Sequence, residues 1–249
     1  MNLNSFRKII VLCVMALSLM SFSVSAIAED KPLTKADVVE IIKEYIEENP
    51  DELLQSIIEK SKSKLKKKQQ ASLTKYEDLI FSDANSPIAG NAKGDVVVVE
   101  FVDYNCGFCK KSANAIASIL KSDKDVKVIF KELPVLGEAS KNAAKWALAA
   151  DRQNKYIDFH MALMKNRRPL NTASLIKIAK DVGLDVEKMQ KDIKGEIVEN
   201  QIEKDYNLAV KIGLTGTPVF IIGDELHMGA LTSSTLKKKL AAYKKREKK

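Results

Sequence analysis

Residues 96–104 read VVVVEFVDY, a nearly unbroken β-branched run with Glu100 at its centre. Such a run fits a central strand covered on both faces, as in a mostly parallel sheet, because a half-exposed strand would alternate apolar with polar residues. It leads straight into Cys106-Gly107-Phe108-Cys109, and the next stretch, KSANAIASILK, has helical spacing. Two thiols thus stand where a strand gives way to a helix.

The rest of the chain continues the alternation. VKVIFKEL at 126–133 predicts a second strand, and helical patterns dominate from 138 to about 212, with Gly213 as a C-terminal cap. Strand returns at PVFIIG (218–223) and again near LHMGA (226–230), followed by a helix from Ser233 or Ser234. The turn-rich SDANSPIAGNAKGD at 82–95 reads as a loop. Strand–helix–strand, a helical block, two strands and a helix make an α/β layout.

What the thiols are for depends on compartment. The N-terminus carries Arg7 and Lys8, an apolar run from 9 to about 20, and Ala26-Ile27-Ala28, the pattern of a cleavable secretory signal over 1–28. The apolar run is short for a membrane span. Cys13 lies within it and is expected to leave with the signal, so an exported chain keeps Cys106 and Cys109 of its three cysteines. One Cys-x-x-Cys pair does not brace a scaffold, which needs several bridges. A zinc knuckle would need four ligands, and His160 and His227 are too distant in sequence to complete one, so no metal or other cofactor is expected.

The formal charge of +8 is concentrated in KSKSKLKKK (60–68) and KKREKK (244–249). Without interleaved aromatics such runs read as solvated helix ends, not as a nucleic-acid surface. Ahead of the first run, Thr34 and Asp37 resemble a capping box, and Val38, Val39, Ile41, Ile42, Tyr45 and Ile46 recur at helical spacing. Asn49-Pro50 ends that helix and opens another, whose apolar face continues through Leu53, Leu54, Ile57, Ile58 and Leu65. Two short amphipathic helices cannot bury this stripe by themselves. They either fold back on the main domain or pair with copies of themselves. The basic stretch, read as a solvated connector, favours self-association of residues 29–70.

If Cys106 caps its helix, its sulfur meets unpaired backbone N–H groups and the positive end of the helix dipole, both of which favour thiolate over thiol. Cys109, one turn on, is close enough to bridge and less accessible. Cys106 is therefore expected to attack a substrate disulfide and Cys109 to resolve the mixed disulfide. A permanent structural disulfide is unattractive, since closing so small a loop removes little chain entropy. Copper binding is a different class of function, because two thiolates could hold Cu(I), a soft ion.

Together EFVDYNCGFCKK, the helical block and GLTGTPVFIIG resemble the DsbA-like thiol-disulfide oxidoreductases of the thioredoxin fold, over about residues 79–243. The resemblance implies a thioredoxin-like α/β fold with a helical insertion at about 138–212. It also implies that Pro218 is a cis-proline facing the cysteines and that Thr217 offers its backbone to an extended substrate chain. Glu100, six residues before Cys106, matches a buried acid beneath the resolving cysteine. Desolvation would raise its pKa and let it exchange the Cys109 proton. His160 and Trp146 read as core or groove-lining residues.

Gly107 and Phe108, placed as substrate contacts with Thr217 and Pro218, resemble the isomerase branch of DsbC and DsbG type, as does the threonine before the proline. The layout with an N-terminal helical segment is similar to that of ScsC-type proteins, which implies a periplasmic homo-oligomer, a trimer or a dimer. Implied partners are unfolded or misoxidised exported proteins and a membrane electron donor of DsbD or ScsB type. The alternative, a dithiol oxidase, would pair with a DsbB-like oxidant.

Overall fold

The computed structural model of the chain describes residues 32–247; the expected signal at 1–28 with Cys13, and Lys248 and Lys249 of the basic tail, lie outside them. The chain divides into two compact units at Ile58 and Glu59. Helix α1 (Lys35–Glu48) opens on a full capping box: the Asp37 N–H donates to Thr34 Oγ1 at 3.3 Å and the Thr34 N–H to Asp37 Oδ2 at 2.9 Å. It stops at Asn49, and Pro50 starts α2 (Pro50–Lys75), where a missing N–H costs no helix hydrogen bond. The lysine run expected as a connector lies inside α2, since lysine is a good helix former and no glycine or proline interrupts the run. Val38, Val39, Ile41, Ile42, Tyr45 and Ile46 of α1 are 41–52 % exposed.

Strands β1 (Ile88–Gly90), β2 (Val96–Val102), β3 (Val126–Glu132), β4 (Val219–Ile222) and β5 (Glu225–Met228) form one sheet in the order β1-β3-β2-β4-β5. β2 and β3 run parallel, whereas the other three pairings are antiparallel. The mostly parallel sheet expected from the valine run is thus corrected to a mixed one. Both faces of β2 are covered whichever way its neighbours run, and it is this double burial that an apolar run reports. β1 lies in the segment read as a loop. An edge strand of three residues is too short to show a period.

Helix α3 (Glu77–Phe81) precedes the sheet, and α4 (Gly107–Ser122) joins β2 to β3. Between β3 and β4 stand α5 (Glu138–Asp151), α6 (Tyr156–Lys165), α7 (Thr172–Asp181), α8 (Val186–Asp192) and α9 (Glu196–Lys211); α10 (Ser233–Glu247) follows β5. This is a thioredoxin-like α/β fold with a helical block between its β3 and β4 strands. No described helix is long and apolar enough to cross a membrane.

Side chains along β2 divide by parity. Val98 and Val102 join a core with Ile116 of α4, Trp146 of α5, Phe159 of α6 and Leu236 of α10. Val99 and Phe101 join another with Ile80 of α3 and Leu208 of α9. Cutting Phe101 back to alanine would cost about 3–5 kcal/mol. Glu100 shares the parity of Val98 and Val102 and sits between Phe130 and Phe220 of the neighbouring strands, so it faces the α4 side.

Candidate active site

Cys106 is the N-cap of α4, with extended backbone (φ −74°, ψ 116°) before helical torsions begin at Gly107. Its sulfur makes no capping hydrogen bond, which corrects the expected contact with the first-turn N–H groups. Instead Sγ–H donates to the Thr217 carbonyl oxygen at 3.2 Å. A protonated sulfur is a donor and only a weak acceptor, so it turns to a carbonyl, whereas helix N–H groups bind its anion far better. Both cysteines are free thiols. The Thr217–Pro218 bond is cis, and the Pro218 carbonyl accepts the Gly229 N–H at 2.8 Å, which fixes this loop against the segment after β5.

Cys106 is 7 % exposed and Cys109 fully buried, so the pair has an outer and an inner sulfur. Phe108 lies 58 % exposed beside them, with the Lys111 ammonium 4.9 Å from its ring centroid. A Cβ at Gly107 would meet nothing within 4 Å, so this glycine is not demanded by packing. The structure therefore brings Cys106 and Thr217 into direct contact, with Cys109 and Pro218 on the adjoining turns and Gly107 and Phe108 at the surface.

Glu100 is buried, and burial pushes its carboxyl up to about 8, so that it holds its proton at neutral pH. Its Oε2 has no hydrogen-bond partner among the described residues. The Cys109 thiol is pushed far up, first by burial and further by the charges of Glu100 and Cys106. A buried acid and a buried thiol thus stand in a low-dielectric interior, where burial opposes the ionisation of both and a charge on Glu100 would further oppose that of Cys109.

Sequence reasoning missed the residues that hold the turn. Asp103 accepts from the Asn105 N–H at 2.8 Å, the Ser140 hydroxyl at 2.7 Å and the Leu136 N–H at 3.0 Å, and its carbonyl takes the Cys106 N–H at 3.1 Å. It fastens the cysteine turn to the start of α5. An aspartate two residues before an amide donor is an Asx-turn signal that the sequence did carry.

Beneath the turn, Tyr104 donates to Glu132 Oε1 at 2.8 Å and Tyr156 donates to the same oxygen at 2.7 Å. With the Tyr104 proton given to Glu132, His160 Nδ1, 3.1 Å from the Tyr104 oxygen, is the donor of that contact. Burial lowers His160 to about 3, so the ring is neutral, and burial holds Glu132 well above its ordinary value against the two phenol hydrogen bonds. His160 and Trp146 are core residues, as expected. Among the described residues, no group of three or more His, Cys, Asp or Glu side chains is placed to hold a metal ion.

Comparison with known proteins follows the same lines. A model of the DSBA-like thioredoxin domain matches residues 97–241. The structure of a thioredoxin-like oxidoreductase from Silicibacter pomeroyi is 40 % identical, covering 68 % of this chain and 97 % of that one with a TM-score of 0.65. The thiol-disulfide exchange protein alpha-DsbA2 of Wolbachia pipientis is 35 % identical, with 71 % and 96 % covered and a TM-score of 0.67. Proteus mirabilis ScsC in a transitional conformation is 28 % identical, with 85 % and 97 % covered and a TM-score of 0.64. Curated relatives include a Na(+)/H(+) antiporter NhaA of Salinispora tropica, 25 % identical over 144 residues; the chain spans only 22 % of that protein's length, against 57 % of its own. Another is the disulfide bond formation protein D of Bacillus subtilis, 28 % identical over 155 residues, with 56 % of this chain and 68 % of that one covered. With the family model matching more than half of its residues and a 40 % identical relative covered almost end to end, the chain belongs to the DsbA-like thioredoxin domain family.

Proposed function

We propose that the chain is an exported protein thiol-disulfide oxidoreductase in which Cys106 attacks and Cys109 resolves. The observation that carries this reading is the placement of the Cys106 sulfur. It is the outer thiol of the pair, stands at the positive end of the α4 dipole, and lies 3.2 Å from the Thr217 carbonyl. Once Cys106 is a thiolate it no longer donates, and that carbonyl becomes free to accept a backbone N–H from an extended substrate chain.

Attack by the Cys106 thiolate breaks the substrate S–S bond, forms a mixed disulfide and releases one substrate thiolate. Cys109 then displaces the second substrate sulfur and closes the Cys106–Cys109 disulfide. The substrate gains two electrons and the protein loses them. The carboxylate form of Glu100, the minor form at neutral pH, takes the Cys109 proton in this direction, and the protonated acid returns it in reverse. When the substrate's own thiol displaces Cys106 instead, bonds are rearranged without net electron transfer, which is isomerisation.

Isomerase or reductase work is the reading we favour. Neither Gly107 nor Phe108 offers a side-chain charge or strong hydrogen bond to an anionic sulfur, so the reduced form is less stabilised and the disulfide less oxidising. The domain reading supports it: residues 1–28 as a periplasmic signal, 29–70 as an oligomerisation segment, 79–243 as the catalytic domain with 138–212 as its insertion, and 244–249 as a basic tail. The exposed apolar stripe of α1 calls for a partner, and a second copy would supply one. Misoxidised exported proteins would be the substrates, and a membrane donor of DsbD or ScsB type would keep the pair reduced. The name of the Bacillus subtilis relative favours a second reading, an oxidase recharged by a DsbB-like partner. Rapid alkylation in growing cells separates them: Cys106 and Cys109 trapped as thiols support the first, and trapped as a disulfide, the second. Reduced protein should also speed refolding of a scrambled multi-disulfide substrate; no acceleration by either redox form would remove the oxidoreductase reading.

A further inference from the structure

Four cations, Lys110 and Lys111 at the start of α4 and Arg167 and Arg168 in the α6–α7 loop, lie on two segments that meet next to the Cys106 turn. Lys110 lies one helical turn after Cys106, its N–H bonded to the Cys106 carbonyl at 3.1 Å, and its ammonium donates to the Asn166 carbonyl at 2.8 Å. That contact ties the α6–α7 loop, with exposed Arg167 and Arg168, to the start of α4. Burial first, and then the Arg167 charge, hold Lys110 below its ordinary value, as two cations within electrostatic reach must. Lys111 is exposed, over the Phe108 ring.

Acidic groups nearby do not neutralise this rim. Asp103, whose charge also acts on Lys110, is buried and already accepts three hydrogen bonds. Glu138, exposed on the neighbouring turn, is paired with Lys141 at 3.0 Å. None of the four cations forms an ion pair with a carboxylate among the described residues.

We propose that Lys110, Lys111, Arg167 and Arg168 make the entry to Cys106 anion-selective, fitting polypeptide disulfides flanked by acidic residues. The inference rests on the oxidoreductase reading above and names its substrate class. A thiolate repels a negatively charged disulfide, and fixed cations beside it offset that repulsion and raise the local concentration of an anionic substrate. The effect is screened by salt over a length of about 10 Å at 0.1 M.

The test uses reduced full-length protein and three symmetric aliphatic disulfides: dithiodipropionate, which is anionic, hydroxyethyl disulfide, which is neutral, and cystamine, which is cationic. In the charge-reversed Lys111→Glu/Arg167→Glu variant, the anionic-to-neutral rate ratio should fall about five- to tenfold and the cationic-to-neutral ratio should rise comparably. Raising salt to about 0.5 M should lower the wild-type anionic-to-neutral ratio as well, a readout that needs no variant. Ratios unmoved by both charge reversal and salt, with the neutral probe reacting, sink the rim alone. Failure of the wild type to attack any of the three sinks the oxidoreductase reading, and this inference with it.

Discussion

The Cys106 thiol and the Thr217 carbonyl oxygen meet at 3.2 Å although 111 residues separate them in the chain. The contact joins the start of α4 to the loop before β4 and sets the direction of the outer sulfur, while Cys109 stays sealed one turn inside. From that asymmetry the two thiols take different tasks.

Cys106→Ser should abolish attack on any disulfide. Cys109→Ser should keep attack but accumulate a mixed disulfide, visible as a mass shift that disappears on reduction. Release of the substrate by Cys109→Ser as fast as by the wild type would reverse or void the assignment.

Glu100→Gln tests the buried acid twice. Its folded-state value of about 8 lies above the ordinary 4.5, so between these the folded protein holds a proton that the unfolded chain has lost. Stability therefore falls as pH rises through this window, by up to about 1.4 kcal/mol per pH unit. The glutamine variant should lose that slope and gain stability relative to wild type from pH 5 to about 9, measured by denaturant unfolding. Resolution by Cys109 should slow at least about 10-fold and lose its inflection near pH 8. An unchanged pH profile would place the proton exchange elsewhere.

Lys131 is a buried cation whose ammonium contacts Ser86 Oγ at 2.7 Å, the Leu79 carbonyl at 2.8 Å, Asp83 Oδ2 at 3.3 Å and Asp205 Oδ1 at 3.5 Å. Burial raises Asp205 to about 7 against the pull of Lys131, while Asp83 stays low despite burial because Lys204, Gln201 and Lys131 stabilise its anion. Lys131→Met would leave Asp205 without its cation and facing the Asp83 carboxylate, which keeps Lys204. Unfolding experiments should show a loss of about 3–5 kcal/mol near pH 8 and less near pH 5, where Asp205 is protonated. An equal loss at both values would mean that packing, not charge, is what Lys131 supplies.

Ile42→Asp/Ile46→Asp places charges on the exposed stripe of α1. Sedimentation should find the wild type associated at micromolar concentration and the variant monomeric, with isomerase activity reduced. A monomeric wild type would remove the oligomer from the proposed function.

The central strand, the thiol pair at its end, the capping box at Thr34 and the helix after Asn49 are all legible in the sequence. Each depends on neighbours two to four positions away, and strand pleat, helix turn and cap geometry act over that range. The same short range explains the misreadings. A three-residue β1 has no period to detect, and a solvated lysine run looks alike in a helix and in a linker.

The family motifs, the burial of both faces of β2 and the spacing of Cys106 and Cys109 were therefore the sequence's own contribution. Only the tertiary structure decided that the Cys106 thiol turns to Thr217, that Asp103 reaches Ser140, and that Tyr104 and Tyr156 converge on Glu132 from 28 and 24 residues away. Periodicity encodes which side of a segment leaves water, because that preference belongs to each residue. Which donor meets which acceptor inside depends on how separate elements pack, and no local pattern carries that information.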